Sequence, residues 1–146
     1  MNAGAHASEK TIKTAWFEHF IGPGPDDIDP YKIPDPEHPG KYLQPKNLTD
    51  AAAQKHDKRY FEAKASGVQG ALLDTNVRDA DMALVGDSYK VMEDYVNGKI
   101  DTWTNKPISY KTFFEAQAIV TVFAPISSYK YAVYSIQQSF KFLKQW

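Results

Sequence analysis

The chain has no cysteine, so neither a disulfide framework nor a thiolate metal site can hold it together. It also lacks a long apolar run. The longest stretch without a charged residue, Ala116 to Tyr129, carries Gln117, Thr121, Ser127 and Ser128 and is too short and too polar to span a bilayer. An excess of one charge is missing as well: the formal net charge is −1, which gives no basic field, and no nucleic-acid partner is expected. The first twenty residues have neither a basic start nor an apolar core segment, so no secretory leader is expected. Beyond Glu115 the acidic residues stop, and lysines stand among aromatics to the end. What remains is an ordinary balance for one domain of 146 residues, 42% hydrophobic and 24% charged, with aromatics at 14%.

The stretch with most chemistry is Asp50 to Tyr60, D-A-A-A-Q-K-H-D-K-R-Y. Asn47 is placed to N-cap a helix, with Asp50 three residues on in the manner of a capping box. The alanines that follow are the strongest helix formers, and the spacing predicts a helix over 48–65, ended by Ser66-Gly67. On it, Ala52, His56 and Tyr60 share one face, while Ala53, Asp57 and Phe61 share the next. A base and an acid at adjacent positions therefore point into neighbouring spaces, one suited to a reacting water and the other to a cation.

A second helix is expected over 73–96, stopped by Asn97-Gly98. Asp81 falls on its apolar stripe, four residues after Val77 and three and four before Leu84 and Val85. An unpaired carboxylate there would be costly, so it needs a partner, and His56 is the obvious one; Asp79 and Asp87 lie off the stripe. Upstream, Gly22-Pro23-Gly24 cannot continue a helix and predicts a tight loop with backbone groups turned inward. The proline-rich run from Asp26 to Gly40 reads as a surface loop, and Pro125 is expected to divide the C-terminal region into two helices.

Taken together, G-P-G, then P-K-N-L-T-D-A-A-A-Q-K-H-D-K-R-Y, then R-D-A-D-M resembles the phospholipase A2 domain of the large capsid protein of parvoviruses. More distantly the run is similar to secreted phospholipases A2, which have cysteines in place of some of these alanines. The resemblance implies a mainly α fold: two antiparallel helices with a calcium-binding loop, plus C-terminal helices. It implies His56 as general base, Asp81 as acceptor of the other imidazole N–H, and Tyr60 bonded to that carboxylate. It implies calcium held by Asp57 and the backbone carbonyls of Phe20, Gly22 and Gly24.

The expected organisation is a loose arm over 1–14, a phospholipase A2-like unit over 15–100 with an inserted loop at 25–44, and an aromatic docking region over 101–146. The expected activity is calcium-dependent hydrolysis of the sn-2 ester of glycerophospholipids at a membrane surface. The expected setting is a virion, with 107–146 docking on a capsid or other virion protein; a secreted or host-membrane-contacting protein is the other setting. The alternative is a catalytically inactive structural or interaction protein on the same fold.

Overall fold

A computed structural model describes residues 19–21, 28–63 and 74–145. The described residues are mainly α: α1 (Leu48–Glu62), α2 (Arg78–Val96, entered through a 3-10 turn at Thr75–Val77) and α3 (Tyr110–Leu143). Between α2 and α3 lies a two-stranded antiparallel ribbon, β1 (Ile100–Asp101) and β2 (Lys106–Pro107), with Ile100 opposite Pro107.

The packing order gives the helix directions. Along α1, Leu48 packs against Val91, Ile108 and Ala116, Ala52 joins Leu84 and Ile119, and Tyr60 covers Val77 and Ala80. As α1 ascends, its partners on α2 descend, so the two are antiparallel. Contacts of α2 with α3 run from Arg78 on Tyr134 to Val91 on Ala116, so that pair is antiparallel too. Small residues make this approach possible: Ala51, Ala52 and Ala53 are all buried, and Ala116 is fully covered.

The start of α1 is fixed from three sides. Asn47 Oδ1 accepts from the Asp50 amide at 2.8 Å, the cap expected from sequence. The other half of the expected capping box is replaced. Asp50 reaches the preceding chain instead, accepting from the amides of Phe20 (2.6 Å), Lys46 (3.0 Å) and His19 (3.2 Å). Asp101 accepts from the free Leu48 amide at 3.1 Å, and the Thr49 hydroxyl donates to the Thr112 carbonyl at 2.8 Å. The Asn47 and Asp101 bonds satisfy two amides that a helix N-terminus otherwise leaves without partners.

Helix bounds depart from expectation in two places, the end of α1 and the start of α2, which begins at Arg78 after the 3-10 turn and not at 73. α1 ends at Glu62 with Ala63 as its cap, before the predicted Ala65; the expected stop at Ser66-Gly67 and the linker at Gly70 lie outside the described residues. α2 ends as predicted, with Gly98 in the left-handed region (φ 67°) that favours glycine. The arm at 1–14 also lies outside the described residues.

The two C-terminal helices are one. α3 runs unbroken through Pro125 for 34 residues. Pro125 is exposed, while Ile119 before it and Ser127 and Lys130 after it are buried on the same side, so docking holds both halves in line. The missing amide and the ring still tax the helix. Replacing Pro125 with alanine is therefore expected to stabilise the protein by roughly 1–3 kcal/mol, measured as a higher urea midpoint at unchanged slope. A midpoint that stays put or falls would mean that the proline shapes the docked helix.

The proline-rich segment is held where it is described. Leu43 donates to the Ile33 carbonyl at 2.7 Å, Pro34 and Tyr42 form an isolated antiparallel bridge, and Ile33 and Leu43 pack with Phe20 against Ala53 of α1. Asp29 is tied to α1 by Lys58 at 2.6 Å.

Candidate functional site

α1 presents His56 and Tyr60 one turn apart, α2 presents Asp81, and the three meet under α3. His56 Nε2 lies 2.8 Å from Asp81 Oδ1, and the Tyr60 hydroxyl donates to the same oxygen at 2.5 Å. An ionised carboxylate has only acceptors, so the His56 nitrogen facing it carries the proton, and in the neutral ring Nδ1 is the acceptor. The imidazole is held between two rings: Tyr60 at 4.3 Å between centroids, tilted, and Phe123 of α3 at 5.0 Å, edge-on. His56 is 7% exposed and Asp81 is 0% exposed.

Asp81 rather than Asp79 partners His56. Asp79 is exposed and accepts from the Tyr131 hydroxyl of α3. The helical positions of the two carboxylates differ by about 200°, which puts Asp81 on the apolar stripe and Asp79 off it.

A fourth group joins the cluster from 101–146, the region expected to dock. Lys130 of α3 is wholly buried, with Nζ 2.5 Å from Asp81 Oδ2 and 2.8 Å from the Tyr60 hydroxyl oxygen, to which it donates. No motif flagged it. The available signal was a lysine in the aromatic stretch after Glu115, where no acidic residue is within reach in sequence to pair with it, placed seven residues after Phe123 on nearly the same face.

The charges balance. Burial works against the Asp81 carboxylate, but hydrogen bonds from His56, Lys130 and Tyr60 outweigh it and hold the group below the usual carboxylate range. Burial, then the hydrogen bond to Asp81, pushes the Tyr60 phenol far above its ordinary value, so Tyr60 remains a donor. Asp81 is thus an anion with two hydrogen bonds at Oδ1 and an ion pair at Oδ2, from side chains of three helices.

The expected metal ligands are partly placed. Asp57 is half-buried on α1, one position past His56. Phe20 is 1% exposed and packs against Ala53, one turn before Asp57 on the same face. Its amide is fixed by Asp50, so the chain enters the glycine segment from a clamped position. Gly22 and Gly24 lie outside the described residues. Among the described residues no three acidic or histidine side chains gather as a metal cluster. Burial pushes the Asp50 carboxyl up against the pull of its three amide donors, and this group serves the backbone and is spoken for.

The chain matches no protein-family model, no curated protein and no solved structure. No helix among the described residues is long and apolar enough to cross a membrane.

Proposed function

We propose that the protein is a calcium-dependent phospholipase A2 acting on the sn-2 ester of glycerophospholipids. The observation that carries this reading is the buried His56–Asp81–Tyr60 cluster, in which the carboxylate fixes Nε2–H and leaves Nδ1 as the base. Water attacks the ester carbonyl carbon while its proton passes to His56 Nδ1. The tetrahedral intermediate then expels the glycerol oxygen, which takes that proton back, giving a free fatty acid and a lysophospholipid. Asp81 stabilises the imidazolium between the two transfers without accepting its proton.

Asp57 with the carbonyls of Phe20, Gly22 and Gly24 would hold calcium, which when bound supplies Lewis-acid stabilisation of the developing oxyanion. The substrate is a phospholipid surface, and the parvoviral resemblance favours a virion-associated role in breaching a membrane, with 107–146 available to dock on a capsid component.

A second reading is a structural protein that keeps this fold without catalysis. The wholly buried Lys130–Asp81 ion pair favours it, because such a pair also serves to fix a core.

Fatty-acid release from phospholipid vesicles, with calcium or chelator, separates the two. Release that needs calcium and falls about 10²–10⁴-fold in His56→Ala is expected for the enzyme. A well-folded wild type that releases nothing at any calcium level would overturn it in favour of the structural reading.

A further inference from the structure

We infer that Lys130 is a positioning residue of the site: its ammonium clamps Asp81 Oδ2 so that Oδ1 stays aimed at His56 Nε2 and Tyr60. The role as positioning residue in hydrolysis rests on the phospholipase reading; the clamp itself does not.

The geometry assigns each acceptor of Asp81 a distinct task. Oδ1 takes the two neutral donors, His56 and Tyr60, at 2.8 and 2.5 Å, while Oδ2 faces the cation at 2.5 Å. A carboxylate turns readily about its terminal torsion, whose energy surface is broad. Hydrogen bonds at Oδ1 and the ammonium charge at Oδ2 together oppose that rotation. Lys130 also donates to the Tyr60 hydroxyl oxygen at 2.8 Å, which leaves the phenol proton no choice but to point at Asp81. One side chain thus fixes the direction of two hydrogen bonds that converge on the same oxygen.

Charge makes the clamp necessary. Asp81 and Lys130 are both 0% exposed. A buried anion without a counter-charge takes up a proton or turns to another donor. Either response removes the acceptor that holds the His56 ring with Nε2–H inward. The ring would then sample the opposite tautomer, in which Nδ1 carries the proton and has nothing to offer a water.

The placement gives α3 a second task besides packing. Phe123 holds the imidazole edge-on, and Lys130, two turns further along, holds the imidazole's partner. The helix that caps the site also orients it.

The test uses the full chain with Lys130→Met, Lys130→Gln and Lys130→Arg. The first readout is the ¹⁵N–¹H correlation spectrum of the His56 ring, assigned by its disappearance in His56→Ala. Wild type is expected to show a single tautomer with Nε2 protonated, Lys130→Met a mixture, and Lys130→Arg the wild-type pattern. The second readout is steady-state hydrolysis of phospholipid vesicles. Lys130→Met is expected to lower kcat about 10- to 100-fold with KM within about twofold, and Lys130→Arg to recover most of that loss.

If Lys130→Met fails to fold by circular dichroism, Lys130→Gln carries the test, since it keeps a donor and removes the charge. A folded variant without the charge that retains the single tautomer overturns the clamp. A loss confined to KM overturns the positioning role in hydrolysis. Absence of hydrolysis in wild type would defeat the phospholipase reading alone, because the tautomer spectra still decide whether Lys130 holds the ring.

Discussion

Replacing Asp81 with alanine is expected to destabilise the protein by about 3–5 kcal/mol, as loss of one partner of a buried ion pair does. The substitution leaves the Lys130 ammonium wholly buried beside a cavity, and it strips His56 and Tyr60 of a shared acceptor. Denaturant unfolding measures the loss directly. The double substitution Asp81→Leu with Lys130→Met removes both charges together and is expected to recover most of the stability while leaving no activity. Equal instability of the single and double variants would mean that shape, rather than the stranded charge, dominates.

The same carboxylate sets an acid limit. Its folded pKa lies below the ordinary 3.8, so the unfolded chain binds the proton more readily than the native one. The stabilisation it provides is therefore complete above pH 3.8 and is lost as pH falls below that toward the depressed native value.

The second large effect is expected at Asp50. Alanine there removes the acceptor for the amides of His19, Phe20 and Lys46, of which Phe20 sits in the core. A loss of roughly 2–4 kcal/mol follows from leaving such donors without partners. Thermal unfolding at neutral pH measures it, and a change under about 0.5 kcal/mol, the scale of an ordinary surface substitution, would show that water replaces the carboxylate at little cost. The functional consequence is separate from stability. Asp50 clamps the peptide that leads into the glycine segment, so under the proposed calcium-dependent reading Asp50→Ala is also expected to weaken calcium binding even under conditions where the chain stays folded. Calorimetric titration with calcium reads this independently of hydrolysis.

The sequence was informative wherever local geometry decides the outcome. Periodicity placed His56 and Tyr60 on one face, and the apolar stripe picked Asp81 over Asp79 as the carboxylate turned inward. The Asn47 cap followed from side-chain chemistry alone. Tertiary contacts that carry no periodicity or motif signal were not legible. Lys130 stands 70 residues from the Tyr60 it bonds, and a lysine gives no sign in sequence that it will be wholly buried. Asp50 fits a capping box by spacing, yet its carboxylate satisfies amides of an incoming strand of chain instead. Pro125 reads as a helix breaker because its local penalty is known, whereas the docking of both flanks on α2 is a property of the assembled molecule. The ribbon escaped notice because two-residue strands have no periodicity to read, although Asp101 within it supplies a bond to α1.

The wide spacing of the clustered groups also constrains the order of events in folding. The His56–Asp81 bond closes a loop of 25 residues, and the Lys130–Tyr60 bond spans 70. Loop-closure entropy must be met before such contacts give anything back, so the long span is expected late and only after α3 has found α2. Until then Asp81 lies against two neutral donors with no cation to match it, and burying it is unfavourable. A chain truncated before α3, or one still emerging during synthesis, therefore has the motif residues but not the oriented base. Completion of the C-terminal helix and acquisition of an ordered site are a single step.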